Sequence, residues 1–252
     1  MKILLTGANG SIGTELRKQN PEIVPVKVRP NDFRQVRNEL IDTDVLIHAG
    51  ALLHSKSLSD LVFENVFTTA KIMEYVFPST RVIFLSSMSI LGEHCDVKHG
   101  SEMSEYALSK YLAEEVVRRF PNTLSIRAST IFYGDPSKDG LSEIVSTAKH
   151  TDKAFILPCT RDFIPLPVLA RRLLDLCDPK LFDFYRGERK TLNIGTGLPT
   201  CTADIGEFLT NKFGTSVEYG ERGSSVCAYF PVNHKYPPVN IYKEIEDYYV
   251  CA

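Results

Sequence analysis

Three residues in this sequence have the types and spacing needed to move a proton at a hydroxyl-bearing carbon: Ser87, Tyr106 and Lys110. Tyr106-Ala-Leu-Ser-Lys110 sets a phenol and an ammonium at positions i and i+4, which share one face of a helix. A phenol titrates near pH ~10 and is a poor base at neutrality. A neighbouring cation stabilises the phenolate and draws its pKa towards the working range. The same lysine is placed to hydrogen-bond a cofactor ribose. Tyr–Lys pairs of this spacing also occur on ordinary helix surfaces. Here the pair gains weight because Ser86 and Ser87 close the run Arg81-Val-Ile-Phe-Leu one strand–helix unit earlier. A serine at a strand end can hold a substrate oxygen in place for Tyr106, although serines there also simply cap the next turn.

Such side chains need a scaffold that gathers strand ends. The N-terminus supplies one: Ile3-Leu4-Leu5 is a short apolar run that stops at Gly7, Gly10 and Gly13 follow, and Ile12 and Leu16 begin a helical pattern. Strand, glycine turn and helix together place a helix N-terminus against a pyrophosphate. Gly7, Asn9, Gly10, Ser11, Ile12 and Gly13 are the candidate contacts. Their spacing, Gly-x-x-Gly-x-x-Gly, is a variant of the usual fingerprint, and glycine turns of this kind are also found as plain structure.

The rest of the first half continues the alternation. Residues 23–28 predict a second strand, near an edge because of Pro25. Asp32 would cap a short helix with the face Phe33, Val36 and Leu40. Asp44 to Ala51 predicts a strand ending in small residues, followed by a helix over 58–77 closed by Pro78. A strand over 81–87, a helix over 105–120 and a strand over 123–129 complete the half. Strands alternating with helices imply a doubly wound parallel sheet of the α/β class, with ligands outside the carboxyl ends of the strands. Little chain separates the second strand from Asp32, so the sheet should be narrow on that side. Further on, helices are expected at 165–177, from a Thr200 cap to Phe213, and after an Asn240 cap; Leu192-Asn-Ile-Gly-Thr-Gly predicts a strand and turn. Residues 1–134 therefore make a dinucleotide-binding core and 135–252 a small substrate-binding lobe, with 163–197 returning to the core.

Composition excludes several alternatives. A chain of 252 residues can bury a substantial core, and a net charge of −2 gives no reason to expect a nucleic-acid or anionic-membrane partner. Cys95, Cys159, Cys177, Cys201, Cys227 and Cys251 are scattered without a Cys-x-x-Cys pair, which argues against a zinc site and for a reducing, cytoplasmic setting. No run reaches membrane-spanning length, and no signal peptide is evident at the N-terminus.

Five stretches, in order, resemble the extended short-chain dehydrogenase/reductase family, the NAD-dependent epimerase/dehydratase group that acts mainly on nucleotide sugars. They are Thr6-Gly-Ala-Asn-Gly-Ser-Ile-Gly13, Asp44-Val-Leu-Ile-His-Ala-Gly-Ala51, Leu85-Ser-Ser-Met-Ser-Ile-Leu-Gly92, Tyr106-Ala-Leu-Ser-Lys110 and Arg127-Ala-Ser-Thr-Ile-Phe-Tyr-Gly134. The resemblance implies a Rossmann-like fold and assigns roles. Ser87 would orient the substrate, Tyr106 would be the acid/base, and Lys110 its partner and ribose ligand. Ala49, Gly50 and Ala51 would pass under the cofactor, Asp32 and Phe33 would meet the adenine, and Asn65 would match a helix asparagine. Arg161 and Arg222 would face the substrate's diphosphate. A homodimer through the helices at 58–77 and 105–120 is also implied. Dehydratases of the group carry Asp-Glu after the catalytic threonine; Met88 and Ser89 stand here, which disfavours dehydration.

Cofactor choice rests on the end of the second strand. Arg29, with Lys27 nearby and no acidic residue before Asp32, favours NADP over NAD. The implied activity is hydride transfer at a hydroxyl or keto carbon of a nucleotide sugar, as an epimerase or a ketoreductase. The rival is a non-catalytic, NADP-sensing or scaffold protein of the same fold. Such proteins usually lose the Tyr or Lys of the pair, and both are present here.

Overall fold

A computed structural model of the chain describes residues 1–28, 33–53, 55, 57–92, 96–187, 190–221 and 238–251. The chain divides into two compact units: Met1–Ile90 with Lys98–Ala128 and Pro167–Asn193, and Leu91–Val97 with Ser129–Leu166 and Ile194–Ala252.

The first unit is built on β1 (Ile3–Thr6), β2 (Val24–Pro25), β3 (Val45–His48), β4 (Arg81–Ser87) and β5 (Thr123–Ala128). These five pair in parallel in the order β5-β4-β3-β1-β2, and Thr191–Ile194 joins beside β5 to make a six-stranded sheet. β1, β3 and β5 are buried along their whole lengths, as expected of strands covered on both faces. The order reverses between β1 and β3, the switch point at which such sheets bind ligands.

Helices α1 (Ser11–Gln19) and α2 (Arg34–Leu40) connect the first three strands. Leu4, Val36, Leu40, Leu46, Ile72, Phe84 and Val117 share one apolar cluster. Only Val24 and Pro25 of the expected strand 23–28 form ladder pairs, although the Val26 N–H still donates to Leu5 O at 2.9 Å. β2 is the edge strand, where the missing N–H of Pro25 costs no ladder bond.

The helix expected over 58–77 has three parts. α3 (Leu58–Leu61) and α4 (Thr68–Met73) are joined by a π turn, Val62–Phe67, in which the Thr68 N–H donates to Phe63 O. α5 (Glu105–Arg118) follows, capped by the Ser104 hydroxyl on Ala107 N.

Among the described residues, the second unit has three two-stranded ladders. Thr130–Phe132 pairs with Phe163–Pro165, Lys153–Ile156 with Ser216–Tyr219, and Thr160–Arg161 with Thr200–Cys201. Its core gathers Phe132, Val145, Phe163, Ile205, Leu209 and Ile245. Helix Gly140–Thr151 is capped by Asp139, whose carboxylate accepts from Ser142 N at 2.8 Å. The cap expected at Thr200 falls instead on Cys201, because Thr200 is taken into a strand and the helix runs Thr202–Phe213. Asn240 does cap the last helix, Ile241–Cys251, through Tyr242 N at 3.0 Å.

Candidate active site

The turn after β1 is held by close backbone packing. Gly7 has φ +71, and a Cβ there would lie 2.6 Å from Gly50 N and 2.7 Å from Ala49 C. A Cβ on Gly13 would meet Ala8 Cα at 2.6 Å and also strike Gly7 O. Two of the three glycines are thus fixed by their neighbours: Gly7 by the loop after β3, Gly13 by the turn itself. Gly10 is different, with an ordinary φ of −75 and only Gly7 O within reach, at 3.4 Å. It is the N-cap of α1 and makes no side-chain cap. Among the described residues no side chain caps the first-turn N–H groups of α1, and such N–H groups can bind an anion.

A cavity of about 700 Å³ opens at this turn, bounded by Gly7 to Gly10, Pro25 to Val28 and Gly50 to Leu52. Gly7, Asn9, Gly10, Gly50 and Ala51 line it; Ser11, Ile12, Gly13, Ala49, Asn65 and Lys110 are not among its lining residues. Phe33 sits at the N-cap of α2 and packs on the unit's apolar core. Arg29 and Asp32 lie outside the described residues.

Beneath the cavity runs a directed hydrogen-bond chain. Gly50 N–H donates to Thr6 Oγ1 at 3.3 Å, and Thr6 Oγ1 lies 2.6 Å from His48 Nδ1. His48 Nε2 lies 2.9 Å from Thr69 Oγ1, which donates to Asn65 O at 2.6 Å. Because the Thr69 proton is committed to Asn65 O, Thr69 must accept from Nε2–H; Nδ1 is then the acceptor and Thr6 the donor. His48 is neutral: burial, with the nearby Lys110 charge adding to it, holds its pKa down to about 3. It braces the β1 and β3 ends and does not exchange protons at working pH.

Asn65 is almost wholly buried and fully engaged. Its Oδ1 accepts from Leu52 N at 2.7 Å, and its Nδ2 donates to Leu52 O and Ser109 Oγ, both at 2.9 Å. Ser109 passes its own proton to Tyr106 O at 2.8 Å. Asn65 thus ties the loop after β3 to the turn of α5 that carries Tyr106, a positioning role reached through backbone and Ser109.

Ser87 ends β4, and its Oγ lies 2.9 Å from Ser89 Oγ while accepting from Ser89 N at 3.2 Å. Tyr106 and Lys110 lie one turn apart on α5, which packs on β4. The Lys110 ammonium rests 4.4 Å from the centroid of the Phe84 ring, a β4 residue. Desolvation lowers the Lys110 pKa to about 7, opposed by the charge of Glu114; the aromatic face also favours the cation. Glu114, one further turn along, is fully buried. It accepts from Ser86 Oγ at 2.9 Å, Arg127 Nε at 3.1 Å and Arg118 Nη2 at 3.1 Å. Removing any of these would leave part of a buried charge uncompensated, so α5 is pinned beside the end of β4.

In the second unit, Arg161 is half-buried and lines a separate cavity of about 610 Å³ with Phe155, Leu157, Cys159 and Phe163. Asp162 beside it is buried and gathers the 194–197 turn. It accepts from Thr196 N at 2.7 Å, Thr196 Oγ1 at 2.8 Å and Gly197 N at 2.9 Å. Burial raises its pKa, and these bonds work against the rise. Arg222 lies outside the described residues.

No protein-family model matches the chain, and no curated protein sequence matches it. Solved structures do. The UDP-glucuronic acid 4-epimerase of Bacillus cereus, bound to UDP-glucuronic acid and NAD, superposes with a TM-score of 0.78 at 19% identity over 99% of this chain and 98% of that one. The GDP-mannoheptose C4 reductase of Campylobacter jejuni, with NADP bound, gives 0.79 at 13% over 99% and 97%. MoeE5, in complex with UDP-glucose and NAD, gives 0.77 at 18% over 99% and 98%. The chain has the fold of these proteins. It is the Rossmann-like α/β fold expected from the strand–helix alternation.

Sequence reasoning passed over several residues that build this site. His48 is marked in the sequence only as a histidine in the otherwise apolar strand Val45–His48. Glu114 follows Lys110 at i+4 among the buried residues Ala107, Ser109, Ala113 and Val117 of α5, where a carboxylate implies a buried cation partner. Thr69, Ser109 and Asp162 take their roles from partners distant in sequence: His48, Asn65 and the 194–197 turn.

Proposed function

We propose that the chain is an NAD(P)-dependent oxidoreductase or epimerase that transfers hydride at a hydroxyl or keto carbon of a nucleotide-activated sugar. The observation that carries this reading is the placement of Ser87, and of the glycine turn with its cavity, at the carboxyl edge of one sheet. The turn suits a pyrophosphate: added Cβ atoms would collide at Gly7 and Gly13, and the α1 N-terminus is uncapped. When bound, the dinucleotide supplies or accepts the hydride.

The chain's own residues do the remainder. Gly7 to Gly13 hold the phosphates through backbone N–H groups, and Ala49 to Ala51 give a floor without bulk. Ser87 donates to the substrate oxygen and fixes its position. Tyr106 gives that oxygen its proton or takes it away, and Lys110, in its protonated form, favours the phenolate. The first unit is the dinucleotide-binding part and the second the substrate-binding part, with Arg161 offering a guanidinium to the diphosphate. Fold-mates bound to UDP-glucose with NAD, and to NADP, support these ligand classes. Met88 is buried and Ser89 is bonded to Ser87, so no carboxylate follows the serine; this supports epimerisation or reduction over dehydration.

The same reading includes a cytoplasmic setting and a homodimer. Cys159, Cys177 and Cys201 are free thiols, which suits the first. Phe63 and Phe67 stack at 5.2 Å and are about 40% exposed on the π turn, giving the second an apolar surface.

The test is to incubate purified protein with UDP- and GDP-sugars and their 4-keto derivatives, with NADH or NADPH, following absorbance at 340 nm. Net oxidation identifies a ketoreductase. Sugar conversion with retained cofactor and no net absorbance change identifies an epimerase. Dinucleotide binding without conversion of any sugar would overturn the proposed chemistry.

A further inference from the structure

Ser87 must hold a substrate oxygen in the proposed reaction, and its neighbours decide where its proton points. Its main chain is fixed by the β4–β5 ladder, in which Ser86 pairs with Arg127 and Ser87 with Ala128. Two freedoms remain, the χ1 rotamer and the hydroxyl rotor. One residue meets both. The Ser89 N–H donates to Ser87 Oγ at 3.2 Å, which holds χ1. Ser89 Oγ lies 2.9 Å from the same oxygen, within reach of the rotor.

Ser89 is itself held in place. It is the middle residue of a 3₁₀ turn, Met88–Ile90, whose outer residues are 3% and 0% exposed. Ser86, Met88 and Ile90 are buried while Ser87 and Ser89 are half-buried, so the two hydroxyls share the open side of the strand end. Lys98 secures the turn: its N–H donates to Ile90 O at 3.0 Å and its ammonium to Ser89 O at 3.4 Å. A serine that only capped this turn would need the Ser89 N–H alone. The second hydroxyl is surplus to that cap.

A hydroxyl carries one proton and two acceptor sites. If Ser87 gave its proton to Ser89, it would have none for a substrate. If Ser89 donates instead, Ser87 accepts twice, from the Ser89 N–H and O–H, and its own proton is left for the substrate. Accepting also polarises a hydroxyl and makes it the better donor. We infer that Ser89 is a positioning residue, donating its hydroxyl proton to Ser87 Oγ so that Ser87 presents its own proton to the substrate oxygen. This role rests on the hydride-transfer reading given above and adds to it a residue outside the Ser–Tyr–Lys set.

Steady-state kinetics on a UDP- or GDP-sugar that the wild type converts test this, comparing Ser89→Ala, Ser89→Thr, Ser87→Ala and the Ser87→Ala/Ser89→Ala double variant. Ser89→Ala should lower kcat about tenfold, with KM within about twofold and an unchanged melting temperature. Ser89→Thr, which keeps a hydroxyl, should recover most of that loss. In the Ser87→Ala background, where kcat has already fallen about a hundredfold, Ser89→Ala should lower it no further. Equal losses from Ser89→Ala in both backgrounds, or none in either, would overturn the inference. So would a greater loss from Ser89→Ala than from Ser87→Ala, which would give the outward proton to Ser89. Amide hydrogen exchange reads the same pair without turnover: Ser87→Ala should speed exchange at residue 89, and Ser89→Ala should not. Exchange at residue 89 unmoved by Ser87→Ala would remove the bond on which the role stands. If exchange behaves as expected but the wild type converts no UDP- or GDP-sugar, the hydride-transfer reading is what fails, and this role falls with it.

Discussion

Replacing glycines in the β1–α1 turn separates what holds the fold from what holds the ligand. Gly7→Ala puts a side chain at φ +71, a left-handed conformation that costs an L-residue about 1–2 kcal/mol. Its Cβ would stand 2.6 Å from Gly50 N and 2.7 Å from Ala49 C, both backbone atoms that cannot rotate aside. Forcing that space open adds about 1–3 kcal/mol of overpacking. The total, about 2–5 kcal/mol, corresponds to a melting temperature lower by roughly 4 to 20 °C for a protein of this size. Gly10→Ala has neither problem: φ is −75, and the only neighbour is Gly7 O at 3.4 Å. It should melt with a loss of about 1 kcal/mol or less. Its methyl nevertheless lies on the cavity wall at the α1 N-terminus, so dinucleotide affinity should fall at least about tenfold. Thermal unfolding by circular dichroism and NADPH titration measure the two quantities. If Gly7→Ala melts with the wild type, or Gly10→Ala is destabilised as much as Gly7→Ala, the close-packing argument is wrong.

Two further predictions concern the helices above the sheet. Lys110 has a folded-state pKa of about 7, well below its ordinary 10.5. Between those values the unfolded chain carries the proton and the folded chain does not, so stability rises with pH across this window. The contribution is lost as pH falls through about 7. Its limiting slope is about 1.4 kcal/mol per pH unit, and Lys110→Met should flatten the rise seen in urea unfolding between pH ~7 and ~9; equal slopes would refute the assigned shift. Asn65→Ala leaves Leu52 N and O and Ser109 without their partner. It should cost about 2–4 kcal/mol and speed hydrogen exchange at Leu52, and a wild-type exchange rate would show that the clamp is unimportant.

The sequence made the parallel core legible because its signals are local. Apolar runs that stop at Gly7, Gly50 and Ser87 mark strand ends, and Asn240 marks a cap; the structure bears these out. Elements fixed by distant partners were not legible. The π turn at Val62–Phe67 surrounds Asn65, whose bonds run to Leu52 and Ser109, and nothing in 58–77 announces that demand. Lys153–Ile156 becomes a strand by pairing with Ser216–Tyr219, some sixty residues away. Thr200 reads as a cap in isolation, yet its pairing with Arg161 draws it into a ladder. At the site, the chemistry-bearing Tyr106 and Lys110 were visible as an i, i+4 pair. The buried bonds that position them, from Asn65, Ser109 and Glu114, appear only once the strands and helices are assembled.

The central claim is that Tyr106 moves the proton at a carbon undergoing hydride transfer. Tyr106→Phe removes the hydroxyl and leaves Lys110, Ser87 and the glycine turn in place. For a nucleotide sugar that the wild type converts, kcat should fall by about two to four orders of magnitude, with the melting temperature and NADPH affinity unchanged. Turnover by Tyr106→Phe at the wild-type rate would contradict the account.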